Sequence, residues 1–390
     1  MTLELHVLGR DGLVPALQAE WAGLEARAVE PNIYMSPLFV MPLLRHLMPK
    51  ARLQCVTVRE RGAGRLVGIA LLLSAAPSVA WPMPHSLSFT SMHSYLSGWL
   101  VDAEHLDDAT RVLVDGWLGG AFGPGCLVWP DLALEGPTAR SLRHCAEARG
   151  CRISVSTVRE RATLCPPAAD EDAIRAHAGS RRMKDWGRKR RRLAELGEVV
   201  WRVSGPEDSP ATLTEASERF AELENQGWRA SGGTALLADP AQAAFYRDMA
   251  ARMIEARRLV ISETCMDGRV IAANFNMLSG NHGFAFKLGW DPAYSKYSVG
   301  VLNELALVDY FHARQPALQL VDSGTQPGSF MEDLWPGRVQ LGTLALARPG
   351  VPSLLLRLRE ALHAIKARLH SRKGTLAPAD SQERATDAAA

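Results

Sequence analysis

The stretch from Arg258 to Arg314 most constrains the fold of this chain, because its apolar period changes halfway along. Residues 258–290 alternate between apolar and polar side chains and are interrupted by two polar, glycine-containing turns. That pattern predicts an antiparallel meander of three strands. From about Ser298 onward, apolar residues return every three or four positions, which predicts an amphipathic helix.

The loop between meander and helix has the sequence Tyr-Ser-Lys-Tyr-Ser-Val-Gly, residues 294–300. A strand that runs through such a turn into a helix presents free backbone N–H groups and the positive end of the helix dipole. Anions bind at such helix starts. The loop therefore predicts an anion site.

This arrangement resembles the GNAT acyltransferases, which hold the pyrophosphate of acyl-coenzyme A at the equivalent loop. Residues 290–302, Trp-Asp-Pro-Ala-Tyr-Ser-Lys-Tyr-Ser-Val-Gly-Val-Leu, look like the FemAB-like and CelD-like branch (cellulose-biosynthesis-type acetyltransferases). An aspartate, spaced tyrosines and a Ser-Pro-Gly-like helix start recur there. Val299 replaces the usual proline, which helps a first helical turn but is not required. The resemblance covers most of residues 165–345, and the first 160 residues only by pattern.

Composition narrows the class of protein. A chain of 390 residues, 47% hydrophobic and 22% charged, can bury one or two cores, and we favour two. Its six cysteines show no CxxC spacing, so we expect neither a disulfide scaffold nor a metal site. The start lacks a secretory signal pattern, and the longest apolar run, Leu66–Ala76, is too short for a membrane span. These features predict a soluble cytoplasmic protein.

Two hairpins suggest an internal duplication. Residues 53–75 and 259–279 each form strand, glycine-containing turn and strand, with Arg65 and Arg269 directly after the turns. The alternative is that two hairpins look alike by chance. The resemblance implies two GNAT-type units side by side. The predicted fold class is therefore α/β (α+β), with two tandem GNAT-like units, each a mixed, largely antiparallel twisted sheet flanked by helices.

The domain boundary is predicted within residues 162–170, which include Pro166-Pro167. Residues 1–165 would form an N-terminal GNAT-like platform without coenzyme, because no tight glycine-opened helix start follows its hairpin. Residues 166–370 would form the acyltransferase unit. Residues 371–390 are polar and alanine-rich, which predicts a disordered tail.

The resemblance implies direct attack of an amine or hydroxyl on the thioester, and the sequence contains no GxSxG or HExxH motif for another mechanism. Splayed strands at Gly283–Trp290 and Leu318–Ser323 would hold the pantetheine arm. Backbone N–H groups near Lys287 and Leu288 would face the thioester carbonyl, although Lys287 also fits a solvated strand lysine. The predicted coenzyme-binding loop residues are Ser295, Lys296, Ser298, Val299, Gly300 and Val301.

The general base has two candidates. Asp322 ends the strand Leu-Gln-Leu-Val-Asp, where the resemblance puts an acid facing the cleft, and Asp291 lies beside the loop. Both also fit turn caps. Tyr297 would return a proton to the leaving thiolate, since a phenol pKa of about 10 is near that of a thiol, or would pack. Trp228, in a glycine-rich loop, would stack on the acceptor or fill the core.

We predict a helix from Glu171 to Leu196, and its basic run from Arg181 to Arg192 carries eight arginines and lysines. It fits a solvated helix face, a site for an acidic saccharide or a coenzyme phosphate, or a tRNA surface. We favour the solvated face.

The first functional hypothesis is an acyl-CoA-dependent acyltransferase, of N-acetyltransferase type, with acyl-CoA as co-substrate and no metal. Its acceptor would be a small molecule or saccharide, sugar-like or amino-acid-like. One alternative is a FemAB-like aminoacyl or peptidyl transferase fed by aminoacyl-tRNA. Another is an inert binding module in polysaccharide assembly, because Ser329–Glu332 stands where relatives often carry Tyr-Lys. The oligomeric state is left open.

Overall fold

The computed structural model describes residues 2–226, 235–237 and 239–374. Within them, one continuous mixed sheet forms the centre of the molecule. Its strands are β1 (Leu3–Gly9), β2 (Leu53–Glu60), β3 (Leu66–Ala75), β4 (His85–Ser88), β5 (Leu100–Val101), β6 (Cys126–Ala133), β7 (Arg152–Leu164), β8 (Val199–Ser204), β9 (Leu259–Met266), β10 (Arg269–Ser279), β11 (His282–Trp290), β12 (Leu320–Asp322) and β13 (Gly337–Ala347).

Helices cover both faces of this sheet. They are α1 (Pro15–Glu25), α2 (Pro37–His46), α3 (Leu106–Leu118), α4 (Pro137–Glu147), α5 (Glu171–Ala178), α6 (Ser180–Ala194), α7 (Pro210–Gln226), α8 (Pro240–Glu255), α9 (Val299–Arg314), α10 (Met331–Leu334) and α11 (Val351–Gly374). Within the described part of the chain, no helix combines the length and the apolar character that a membrane span needs.

The same strand arrangement occurs twice along the chain. The strand order is β1-β2-β3-β4-β6-β13-β7-β12-β11-β10-β9-β8, with β5 beside β3. Neighbours are antiparallel except for β4 with β6 and β11 with β12. Each parallel pair is joined by a crossover helix, α3 in the first half and α9 in the second. This confirms the predicted fold class of two tandem units.

The two halves exchange their last strands. β7, from the first half, pairs with β12 of the second half, and β13, from the second half, pairs with β6 of the first. β7 and β13 also pair with each other, at the centre of the sheet. The predicted division at residue 165 is therefore a division of the sequence, and the sheet continues across it.

The two faces of the sheet are filled differently. On one face, helices α1, α2, α7 and α8 from both halves share a single core that includes Trp21, Phe39, Phe220 and Phe245. On the other face, α3 and α4 cover the first half, and α5, α6, α9 and α10 cover the second, as two separate cores. Helix α11 packs across β6 and β13.

Three element boundaries differ from the sequence prediction. The helix predicted from Glu171 to Leu196 is broken at Gly179, whose φ of +81° ends α5. Strand β7 continues to Leu164, so its end lies inside the predicted linker. Helix α11 continues to Gly374, into the predicted tail, and residues 375–390 lie outside the described residues.

Candidate active site

The sheet splits where β11 parts from β12. These parallel strands pair only at His282–Phe284 with Leu320–Asp322. β11 continues to Trp290, and beyond Phe284 this edge has no strand partner among the described residues. A cavity of about 530 Å³ occupies the gap between β11 and the loop that follows β12. Its lining residues include Tyr95, Asn274, Ala285, Phe286, Lys287, Leu288, Trp290, Ser323, Gly324, Thr325 and Phe330.

A β-bulge accompanies the split. Phe275 on β10 pairs with Lys287 and Asn276 pairs with Ala285, so Phe286 is one residue too many on β11. A bulge bends its strand and increases the local twist. Together with the short β12, this bend separates β11 from its parallel neighbour.

The cavity connects the two faces of the sheet. Phe286 packs in the core shared by α2, α7 and α8. Leu288 and Trp290 pack on the opposite face, in the core beneath α9. β11 contacts α7 on one of these faces and α9 on the other, so the gap lies beside the strand that joins both helices.

The predicted anion loop has the backbone geometry that its sequence suggested. Asp291 accepts a hydrogen bond from the Ala293 N–H (2.9 Å) and begins a 3-10 turn, Pro292–Tyr297. Ser298 follows in the left-handed region, with φ +52°, and does not cap α9 with its side chain. The amides of residues 299–301 occupy the first helical turn, where no carbonyl of the same helix is available. They form a donor set suited to an anion.

The basic helix α6 packs against this loop, and its Lys189 makes a polar contact there. The Lys189 ammonium donates to the Ser298 hydroxyl (2.9 Å) and lies 3.1 Å from the Asp185 carboxylate. Other members of the basic run have separate contacts: Arg190 stacks over Trp201 at 4.4 Å. Within the basic run, Arg190 thus packs on an aromatic ring, whereas Lys189 places its ammonium beside the loop. The spacing of these residues in the sequence did not distinguish the two roles.

The remaining loop residues are close to α9 but differ in exposure. Ser295 is exposed, and its hydroxyl donates to the Pro292 carbonyl (2.7 Å). The exposed Lys296 places its ammonium 5.1 Å from the ring centre of Tyr297. Tyr297 is half-buried and packs at the edge of the α9 core. The loop therefore brings the predicted coenzyme residues and Tyr297 together.

Asp322 is held in a buried ion pair. Its carboxylate lies 3.2 Å from the Arg161 guanidinium, and the two side chains are 5% and 1% exposed. It also accepts the Gly324 N–H (2.7 Å). Arg161 donates further to the carbonyls of Tyr95 (2.9 Å) and Thr325 (3.1 Å). These contacts join β7, β12 and the loop of Tyr95 at the edge of the cavity, and they give Asp322 a positioning role.

Asp291 has a counterpart in the first half. It pairs with Arg269 at 2.6 Å and caps the turn before α9. Asp102 likewise pairs with Arg65, at 2.7 Å, and caps the turn before α3. The two arginines are those that directly follow the turns of the two similar hairpins in the sequence. Both aspartates thus fix the chain that enters a crossover helix.

The helix start in the first half is unsuited to an anion. Asp107 and Asp108 lie in the first turn of α3, directly after the Asp102 cap. Carboxylates at this position already interact with the positive end of the helix dipole and would repel a phosphate. The helix starts of α3 and α9 thus differ in these two carboxylates, and the absence of coenzyme from the first unit stays a prediction.

A second buried ion pair, between Lys287 and Glu224, lies at the cavity. Lys287 was a candidate site residue from the sequence, and Glu224 was not. The Lys287 ammonium is 3.1 Å from the Glu224 carboxylate, and these side chains are 2% and 0% exposed. Glu224 also accepts the Leu236 N–H (2.7 Å). Lys287 is therefore not a solvated strand lysine. The available signal was that Glu224 follows Phe220 by four positions on α7, which puts an acid on the apolar face.

Glu304 is a further buried acid that sequence reasoning overlooked. It lies on the apolar face of α9, and Asn274, which lines the cavity, donates to its carboxylate. Burial raises the pKa of Glu304 from 4.5 to about 8. Its second oxygen, Oε1, has no hydrogen-bond partner within the described residues. The carboxyl group of Glu304 therefore favours its protonated form, and it lies behind the cavity residue Asn274.

Trp228, the predicted acceptor contact, lies outside the described residues. In the sequence it stands two positions after Gln226, the last residue of α7, and α7 contributes Glu224, the partner of the cavity residue Lys287.

Comparisons with known proteins agree with this geometry. Residues 180–346 match the family model described as an acetyltransferase (GNAT) domain. This segment contains α6, the meander, the loop, α9 and the split strands, and it supports the GNAT superfamily and its acyltransferase class. The CelD-like branch remains a prediction. None of the curated proteins matches the chain.

Solved structures share the fold of nearly the whole chain. A conserved protein of unknown function from Bacteroides thetaiotaomicron aligns with a TM-score of 0.55 at 9% identity, over 88% of this chain and 100% of that one. FemX aligns with a TM-score of 0.53 at 10% identity, over 88% and 97%. At these identities the similarity concerns the fold alone.

Proposed function

We propose that this protein is an acyl-CoA-dependent acyltransferase that transfers a small acyl group to an amine or hydroxyl of a sugar-like or amino-acid-like acceptor. The observation that carries the proposal is the cavity between β11 and the loop after β12, which is lined by residues from both faces of the sheet. Such a passage lets a thioester on one face meet an acceptor from the other. Holding both reactants in one geometry supplies much of the catalysis in direct acyl transfer.

The coenzyme side fits the donors that acyl-CoA requires. The amides of Val299, Gly300 and Val301 and the ammonium of Lys189 would hold the pyrophosphate. The unpaired edge of β11 would hydrogen-bond the pantetheine arm. The N–H groups near Lys287 and Leu288 would donate to the oxyanion that develops on the thioester carbonyl.

The acceptor side is lined by apolar and charge-balanced groups. Tyr95 and Phe286 supply aromatic surface at the cavity. Lys287 is paired with Glu224, and Arg161 with Asp322, so no net charge of one sign is built into the described wall. This balance favours an uncharged acceptor, such as a sugar or a neutral amine, over a polyanion.

Asp322 and Asp291 remain the candidate bases for the acceptor proton, and Tyr297 the candidate donor to the leaving thiolate. Both aspartates are held in position by arginines. We rank Asp322 first because it ends β12, directly before the cavity residues Ser323 and Gly324.

Calorimetric titration of coenzyme A into the protein tests the proposal. We expect measurable binding that weakens on the order of tenfold in Lys189→Ala, because a charge-assisted contact is lost. Lys184→Ala, an exposed lysine on the same helix, is the matched control and should bind as the unchanged protein does. Failure of the unchanged protein to bind coenzyme A, or equal weakening in both variants, would overturn it.

A second candidate is the FemAB-like aminoacyl transferase that uses aminoacyl-tRNA. It is favoured by the exposed arginines of α6, among them Arg181, Arg188, Arg191 and Arg192. Under this function, tRNA should raise the melting temperature, and the effect should fall steeply with salt. Stabilisation by coenzyme A with no effect of tRNA would favour the first function.

A further inference from the structure

Helix α11 presents an apolar stripe away from the protein. Val351, Leu354, Leu358 and Leu362 recur every three or four residues and are 67%, 62%, 54% and 50% exposed. In a helix of 3.6 residues per turn these positions share one face. Four large apolar side chains in line, each at least half exposed, are unusual for a helix that only packs on its own domain.

The opposite face anchors the helix to the sheet. Leu356 is fully buried against β6 and β13. Arg359 donates to the Ala80 carbonyl (2.7 Å) and stacks over the Trp81 ring at 3.7 Å. Glu360 accepts from Arg152 at 3.1 Å. Because this inner face is fixed, the exposed stripe cannot turn inward without breaking these contacts.

Helix α11 carries far more basic than acidic residues. Glu360 is its only acidic residue, and that carboxylate is already paired with Arg152. Arg357 is exposed beside the stripe. Further along, the sequence has Lys366, Arg368, Arg372 and Lys373 and no acid up to residue 374. The sequence also continues the apolar spacing with Ile365 and Leu369.

We propose that α11 is an interfacial helix that docks this protein onto an anionic lipid bilayer, lying in the surface plane without crossing it. A helix of 24 residues with an apolar stripe, basic residues and almost no acid has the composition of such helices. Leu354, Leu358 and Leu362 enter the headgroup boundary, and the exposed Arg357 contacts anionic headgroups.

Two other partners for the apolar stripe of α11 fit less well. A second copy packed stripe to stripe would bring Arg357 and its basic neighbours close to the same residues of the partner helix, with no free acid on the helix to balance them. The chain's own segment 375–390 is alanine-rich and polar, and Leu376 is its only large apolar residue. An anionic surface complements both the stripe and its charge.

Sedimentation of the full chain with lipid vesicles tests the proposal. Binding should be weak on phosphatidylcholine alone, increase when phosphatidylglycerol is added and fall as salt is raised. The double variant Leu354→Ser/Leu358→Ser should reduce binding on the order of tenfold or more. Arg357→Glu should weaken binding to the mixed vesicles only.

The control is Val200→Ser, an exposed valine on the distant edge strand β8, which should bind like the unchanged protein. All variants change exposed side chains, so their melting temperatures should match. The proposal is overturned if the full chain ignores phosphatidylglycerol, or if the double serine variant binds unchanged. The proposal is also overturned if light scattering finds that the protein is a dimer and that the double serine variant is a monomer. It is likewise overturned if the full chain does not bind vesicles and a chain that ends at residue 374 does, because residues 375–390 would then cover the stripe.

Discussion

Glu304 is a residue whose protonation should be visible in the stability of the whole protein. Burial raises its pKa from 4.5 to about 8, so between these values the folded state keeps a proton that the unfolded chain has lost. Its contribution is therefore complete below pH 4.5 and is lost as pH rises toward 8. The loss amounts to about 1.4 kcal/mol for each pH unit.

Glu304→Gln should remove this dependence, because the amide has nearly the same shape and does not ionise. We expect the variant to gain free energy of unfolding relative to the unchanged protein when both are moved from pH 5 to pH 8, measured by urea unfolding. Glu222→Gln, at an exposed position on α7, is the control. A difference between variant and parent that stays the same at both pH values would contradict the assignment.

Asp322→Asn separates the positioning role from the catalytic one. The variant leaves the Arg161 guanidinium buried without its counter-charge, which should cost about 3–5 kcal/mol in the free energy of unfolding. Adding Arg161→Met should recover part of that loss, because the unpaired charge is gone. Retained stability in Asp322→Asn would show that the ion pair does not hold this edge of the cavity, whereas a base role alone predicts a lower kcat in a protein of unchanged stability.

At the scale of elements, the loop after β12 approaches β11 most closely at Gly324. A Cβ there would lie 2.5 Å from the Ala285 carbonyl oxygen and 2.9 Å from the Tyr95 ring, and the residue has a φ of +64°. Gly328, in the same loop, has a φ of +83° and nothing within 4 Å of its Cβ position. The two glycines therefore share backbone strain but not the close contact.

Gly324→Ala should lower the melting temperature more than Gly328→Ala and should weaken coenzyme A binding. Both variants carry a left-handed cost of about 1–2 kcal/mol, but only the first pushes the loop away from β11. Thermal unfolding and calorimetric titration of the pair measure the two effects. Equal effects of the two alanines would mean that this contact does not shape the cavity.

The elements of the second half could be predicted well because their signals are local. The change of period after Trp290 and the turn residues of the meander identified β9 to β11, the loop and α9. The helix break at Gly179 was harder to predict from the sequence, because a glycine inside an apolar helical pattern also fits a continuous helix. The partners of Asp322 and Lys287 were out of reach, since Arg161 and Glu224 are distant in sequence and nothing local links them.

At the scale of the molecule, the exchanged strands β7 and β13 join the halves into one sheet. β7 pairs with β12 and β13, and β13 pairs with β6 and β7, so each half supplies a strand to the other. This order could not be predicted from sequence patterns, because pairing between residues far apart leaves no local period. The tandem architecture was predictable from the repeated hairpin, and the exchange was not.

Separate expression of residues 1–165 and 166–390 tests this architecture. We expect neither fragment alone to unfold cooperatively or to give a dispersed NMR spectrum, since each would leave open strand edges at β6 or β12. Co-expression should restore a one-to-one complex with the melting behaviour of the intact chain. A fragment that folds alone with native-like dispersion would contradict the interlocked sheet.

The most direct test of the acyltransferase account is a crystal structure with bound coenzyme A. The account predicts the pyrophosphate within hydrogen-bond distance of the amides of Val299, Gly300 and Val301 and near Lys189, with the pantetheine arm between β11 and the Ser323–Ser329 loop. Coenzyme A bound at another surface, or a cavity that stays empty at saturating coenzyme A, would contradict it.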